Sequence, residues 1–180
     1  MSGIQSCFKR YEKKYLLTYR QYRAMLEGMA PYMQADRFSN YTICNIYYDT
    51  PDWRLIRTSL EKPVYKEKLR VRSYGTVCGA DNVFVELKKK YNGIVYKRRI
   101  SLPEQKATDW LAGKTGLPVN CQIGREIDYT NKFYGGLVPA MYLSYDRIAY
   151  CCAEDDSLRI TFDRNIRWRT DGLSLTEAPA

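Results

Sequence analysis

The chain has 180 residues, with 29 Lys and Arg against 20 Asp and Glu, a formal net charge of +9 and no histidine. This length suits one domain, residues 1–180, with a core of its own. The charge points to an anionic partner: nucleic acid, a phosphate chain, a nucleotide or an acidic membrane surface. The lack of histidine excludes a histidine general base, a Ser-His-Asp triad and any His-ligated metal. Six cysteines, at positions 7, 44, 78, 121, 151 and 152, form no C-x-x-C pair. They are expected to be reduced thiols filling core or strand positions. No apolar run reaches membrane-spanning length, and residues 1–15 lack the apolar centre of a signal peptide.

Residues 6–17 read as a first strand, with Arg10, Glu12 and Lys14 on one face and Tyr11, Lys13, Tyr15 and Leu17 on the other. Thr18-x-x-Gln21 fits a capping box. Tyr22, Met25, Leu26 and Met29 then recur at helical spacing, with Met25 and Met29 expected in the core. Residues 41–49 read as a second strand. Thr50-Pro51 is expected to start a short helix carrying Trp53, Leu55, Ile56 and Leu60, which ends before Pro63.

The basic stretch 65–73 follows. As a strand it sets Lys66, Lys68, Arg70 and Arg72 on one face and Glu67, Leu69 and Val71 on the other. A polar loop runs from Gly75 to Asn82. Two strands, 83–90 and from Ile94, then flank Asn92-Gly93, the strongest short hairpin signal because a type I′ turn needs φ > 0 at both central residues. A two-residue loop sets Lys90 against Val95, Lys88 against Lys97 and Glu86 against Arg99.

Pro103 opens a short helix with Trp110 and Leu111, broken by Gly113, Gly116 and Pro118. A further helix runs from about Gln122 to Tyr134 and stops at Gly135-Gly136. Residues 140–152 and 157–169 read as another hairpin. A loop symmetric about Asp155 sets Arg147 against Asp163, Ala149 against Thr161 and Cys151 against Arg159. Residues 170–180 carry no structural signal.

Like charges directly across an antiparallel pair are destabilising. Lys88 and Lys97 oppose each other beside a strand with four alternate cations. One reading is a solvated outer face, its charges screened over ~10 Å in ordinary salt. Such faces mix signs, however, and this one carries only Glu86. The other reading is that the face binds a polyanion. Seven or so strands, mostly antiparallel, each have a face bearing Lys or Arg. Curled into a barrel, those faces would converge inward. The fold expected is α+β, a mainly antiparallel β barrel with flanking helices.

The stretches RYEKKYLLT at 10–18, NIYYDTPDW at 45–53, KEKLRVRSYG at 66–75, FVELKKKYNGIVYKRR at 84–99, YDRIAY at 145–150 and LRITFDRNI at 158–166 resemble, in order, the VTC-type polyphosphate polymerase domain. That family is a branch of the triphosphate tunnel metalloenzyme (CYTH-like) superfamily. The resemblance implies a tunnel-shaped antiparallel barrel that holds a triphosphate and passes the γ-phosphate of ATP to a growing polyphosphate chain. The tunnel cations it implies are Lys14, Arg70, Arg72, Lys88, Lys97, Arg147 and Arg159, with Lys68 and Arg99 sharing their face. Mn²⁺ or Mg²⁺ is the implied metal, with Glu86 and then Glu12 as ligand candidates; each could instead only pair a cation, Arg99 in the case of Glu86. Asp163 is expected to orient Arg147.

Two departures stand out. Superfamily hydrolases carry E-x-E-x-K on the first strand, where this chain has Arg10-x-Glu12-x-Lys14. The C-terminal strand and helix that the family adds, with a further tunnel carboxylate, do not appear before Ala180. The implied partners are ATP and polyphosphate, with an inositol phosphate and a membrane-protein partner as further expectations. The expected location is the cytoplasm or the inner face of a membrane. Rival readings are a triphosphate hydrolase of the same fold, a non-catalytic sensor of polyphosphate or inositol phosphate, and a nucleic-acid-binding module. The last is disfavoured because Tyr65, Tyr91 and Tyr96 fall opposite the cations, whereas stacking platforms need both on one face.

Overall fold

The computed structural model describes residues 7–155 and 158–178. Seven strands form one sheet: β1 (Cys7–Arg10), β2 (Met33–Asp49), β3 (Tyr65–Tyr74), β4 (Asn82–Tyr91), β5 (Ile94–Pro103), β6 (Val138–Cys152) and β7 (Arg159–Arg169). The order is β1-β5-β4-β3-β2-β6-β7, every neighbouring pair being antiparallel. Four helices accompany it: α1 (Tyr19–Met29), α2 (Arg54–Leu60), α3 (Glu104–Leu111) and α4 (Gln122–Phe133). The sheet curls into a half-barrel whose edges, β1 and β7, do not pair with each other among the described residues.

Alternation along the strands makes two unlike faces. Leu69 and Val71 of β3, Val83, Val85 and Leu87 of β4, and Ile46 of β2 are almost wholly buried. They pack with Leu55 of α2, Trp110 and Leu111 of α3 and Ile127 of α4 in one apolar cluster. The helices therefore cover the convex face, which leaves the concave face to the cations.

The hairpin registers follow the turn chemistry. Lys90 faces Val95, Lys88 faces Lys97 and Glu86 faces Arg99 across β4 and β5. Asn92 and Gly93 both have positive φ, as a type I′ turn requires. Arg147 faces Asp163, Ala149 faces Thr161 and Cys151 faces Arg159 across β6 and β7. Thr18 caps α1 in a complete capping box with Gln21.

Three local expectations are corrected. The first strand ends at Arg10 rather than Leu17. It pairs with β5 from Cys7↔Arg98 to Arg10↔Val95, and one step further β5 gives way to the Asn92-Gly93 turn. The chain beyond has no partner to extend against, so Glu12 and Lys14 lie on an irregular segment. The second helix starts at Arg54, not after Thr50. Its first turn is capped from behind by buried Asp49, whose carboxylate accepts from the backbone N–H of Thr50, Leu55 and Ile56 at 2.8, 2.8 and 3.0 Å. Met25 lies exposed on α1, and only Met29 of that helix is buried.

The tail is irregular, as its sequence suggests. Residues 170–178 have no helix or strand but are tied down. Leu175 is 1% exposed in the core, and its carbonyl accepts from Val77 N–H at 3.2 Å. Arg169 lies 3.8 Å over the Tyr142 ring and donates to the carbonyls of Gly172, Ser174 and Ala178. Leu175→Ala is accordingly expected to cost about 2–5 kcal/mol in urea unfolding, as a buried leucine does and an exposed tail residue does not.

Candidate phosphate-binding face

β3 lies at the centre of the concave face, and its four alternate cations meet different fates. Lys66 leaves the group, donating to the Ser59 carbonyl at the end of α2, 2.9 Å away. Arg70 donates Nε to Glu86 at 2.8 Å and Nη1 to the Tyr47 hydroxyl at 3.0 Å. Arg72 donates Nε to Asn45 Oδ1 at 2.9 Å and Nη2 to the Tyr145 hydroxyl at 3.2 Å. Lys68 has no carboxylate partner among the described residues, and it sits in a row of three lysines, Lys68 against Lys88 and Lys88 against Lys97.

Glu86 organises this cluster. Its side chain is 0% exposed, and its two oxygens meet Arg70 at 2.7 Å, Lys97 at 3.0 Å and Arg72 at 3.8 Å. Burial alone would raise the Glu86 carboxyl, but Arg70, Arg72 and Lys97 outweigh it and hold it down at about 2. Burial dominates at Lys97, lowering it to about 8 against the pull of Glu86. Lys68 is also lowered, by burial first and then by Lys66, Lys88 and Lys14 around it. Arg70 stays above its ordinary value because Tyr47 and Glu86 more than offset its burial.

The other expected residues lie around this centre. Lys88 donates to Glu12 at 2.6 Å, while Lys14 stands 3.9 Å from Glu12 and is largely exposed. Burial pushes the Glu12 carboxyl up, and Lys88 with the nearby cations brings it below its usual value. Arg147 makes a two-pronged pair with Asp163 at 2.6 and 2.7 Å, the orienting contact expected of that acid. Arg159 pairs with Asp36. Arg99 faces Glu86 in the register, and its guanidinium lies 4.5 Å over the Phe84 ring. The Arg10 side chain lies outside the described residues.

Both carboxylates considered as metal ligands are thus engaged by cations. No three His, Cys, Asp or Glu side chains come close enough to share an ion among the described residues. These donors do not compose a protein-held divalent centre. A divalent ion chelated by nucleotide phosphates would be part of the substrate.

The structure adds Tyr47, Asn45 and Tyr145, which pattern reading missed. All three give neutral acceptors to the two central arginines. No tight turn joins β2 to β3, because α2 lies between them, so the register Asn45↔Arg72 and Tyr47↔Arg70 had no local signal. The parity of Tyr41, Ile43, Asn45 and Tyr47 along β2 was the one available clue. The concave face consequently carries aromatics beside its cations, supplied by β2 and β6 rather than by β3 and β5. This weakens the parity argument against nucleic acid.

The chain is thus a curled antiparallel sheet with a cationic concave face and helices on its back. A family model described as the VTC domain matches residues 9–178, and the chain belongs to that family. Among solved structures, a Bacillus halodurans protein provisionally described as an adenylate cyclase is similar, with a TM-score of 0.49 and 14% identity over 90% of this chain and 81% of that one. No curated protein matches the sequence. Among the described residues no helix is long and apolar enough to cross a membrane.

The Glu86 pairs make stability depend on acid. The unfolded carboxyl takes up its proton near the ordinary 4.5 and the folded one near about 2. The unfolded state therefore binds more protons in between, and the Glu86 contribution, full above 4.5, is lost as pH falls through that window. Glu86→Gln should lower stability at pH 7 by about 3–5 kcal/mol, since it strands three cations, and should remove this part of the acid limb. Urea unfolding of both proteins from pH 7 to pH 3 is the check.

Proposed function

We propose that the concave face binds the triphosphate of ATP and transfers its γ-phosphoryl group to the end of a polyphosphate chain. Membership of the VTC domain family supports this reading. The observation that carries it is the row Lys68–Lys88–Lys97 beside Arg70 and Arg72, a concentration of positive charge for which the described residues supply few anions. A phosphate chain supplies the missing charge.

Phosphoryl transfer of this kind is mostly positioning and neutralisation of charge on phosphate oxygens. A terminal oxygen of the polyphosphate attacks the γ-phosphorus, the bond to the β,γ-bridging oxygen breaks, and ADP leaves. The attacking oxygen is already anionic, so no general base is required and the absence of histidine is no obstacle. Arg70 and Arg72, held by Glu86, Tyr47, Asn45 and Tyr145, present guanidinium planes for bidentate contact. Lys68, Lys88 and Lys97 act as point charges. Arg147 and Arg159 extend the charged track along β6 and β7.

Incubation with ATP and Mn²⁺, followed by gel analysis of phosphate polymers, tests the reading. Polymer is expected from the natural chain and its loss from Arg70→Ala and from Lys68→Met; the second variant removes a charge that makes no ion pair among the described residues. Free phosphate without polymer identifies a hydrolase instead, and triphosphate binding without turnover identifies a sensor. Affinity for inorganic triphosphate should also fall as pH rises through about 8, as Lys97 loses its proton. Calorimetric titration between pH 6.5 and 9.5 measures this, and Lys97→Met should flatten the dependence.

A further inference from the structure

β7 contains an extra residue. Asp146 of β6 faces Arg164 and Ser144 faces Arg167, so two residues of β6 span three of β7. The added residue makes a bulge with Asn165 in the left-handed region at φ 52°. Such a backbone is uncommon outside glycine, with asparagine among the residues that tolerate it. It is braced by Asp146, whose carboxylate accepts from Asn165 Nδ2 at 2.8 Å and from the Thr42 hydroxyl at 2.8 Å.

The bulge has a definite effect on direction. Asp163 is on the concave face, paired with Arg147. Five residues later, regular alternation would put Trp168 on the convex face. The extra residue inverts the alternation, and Trp168 instead faces Leu143, the neighbour of Tyr145 and Arg147 on the concave side. Arg169 correspondingly lies on the convex side over Tyr142. A β-bulge beside a site commonly re-aims one side chain in this way.

Trp168 is 65% exposed and Ile166, two residues before it, is 54% exposed. A single register row runs Trp168–Leu143–Asn45–Arg72. It spans three strand spacings, on the order of 14 Å along the sheet and less across the curl. That is the scale of a nucleoside triphosphate with its phosphates on the arginines. From this geometry we infer that Trp168 is the platform on which the nucleobase of the substrate stacks. The inference rests on the triphosphate reading of the same face and extends it to substrate choice. Stacking on an indole reads a π-face rather than a hydrogen-bond pattern, so the site takes nucleoside triphosphates with little discrimination among bases and binds them more tightly than inorganic triphosphate.

The test compares ATP with inorganic triphosphate by calorimetry on the natural chain, Trp168→Ala and Trp168→Phe. Trp168→Ala is expected to weaken ATP about tenfold while leaving inorganic triphosphate unchanged, and Trp168→Phe to restore most of the loss. Equal loss of both ligands in Trp168→Ala overturns the inference, because the tryptophan would then be structural. So does an unchanged ratio of the two affinities, including the case in which Trp168→Ala instead abolishes self-association through the β7 edge. In each of these cases inorganic triphosphate still binds the natural chain, and the reading of the cationic face stands. Failure of the natural chain to bind either ligand overturns both.

Discussion

A carboxylate with no exposure to water, held between Arg70, Arg72 and Lys97, is the constraint on which the cationic face depends. Bringing several cations onto one concave surface costs desolvation and mutual repulsion, and neither is small in a partly buried setting. Glu86, on β4 beside the central strand β3, offsets that cost. A single negative charge among three positive ones leaves the group cationic, so it can be preassembled and still attract an anion. Further N–H groups of Arg70 and Arg72 donate to Tyr47, Asn45 and Tyr145, which are neutral and cancel none of the charge. The arginines are thereby oriented before any ligand arrives, which reduces the ordering entropy lost on binding.

The same strands serve both sides of this arrangement. Each residue of β3 that points a cation inward is followed by one that anchors the strand against the helices. The sequence Lys68-Leu69-Arg70-Val71-Arg72 is thus a site and a core in alternation. A register slip of one residue would bury the cations in the apolar cluster, so the face is as strongly specified as the core. Helices α2, α3 and α4 can cover only the apolar side, and the concave side stays open without any special device.

How much of this could be read from the sequence depended on local turns. Asn92-Gly93 allows one short loop, and the facing pairs Lys88–Lys97 and Glu86–Arg99 follow from it. The acidic loop between β6 and β7 set Arg147 opposite Asp163 in the same way. Where no tight turn joins two strands, legibility stopped. Tyr47 and Asn45 meet Arg70 and Arg72 across an intervening helix, and the ion pairs of Glu86 run to Arg70, opposite it on β3, and to Lys97, two places along β5 from Arg99, the residue opposite it there. The end of β1 depends on where its partner turns away, which local propensity does not record. The Asp49 cap and the buried Leu175 are also long-range facts, decided by packing against segments far along the chain. The bulge at Asn165 is subtler still, since one residue in the left-handed region reverses which face the following side chains occupy.

The cations fall into two tiers that suit different tasks. Arg70, Arg72 and Lys97 are tied to a buried acid that no phosphate can easily displace, since freeing Glu86 would leave it charged and unpaired. Lys88 with Glu12, Arg147 with Asp163 and Arg159 with Asp36 are paired nearer the surface, where such contacts are worth about 0–1 kcal/mol and exchange readily. A phosphate chain sliding along the sheet could take the outer cations from their carboxylates at little cost and release them again. Only the inner group would keep its geometry throughout. Movement of a polymer needs weak, replaceable contacts along the track, whereas chemistry at one phosphorus needs rigid ones. For the proposed function, the division between exposed and buried ion pairs on this sheet would supply both.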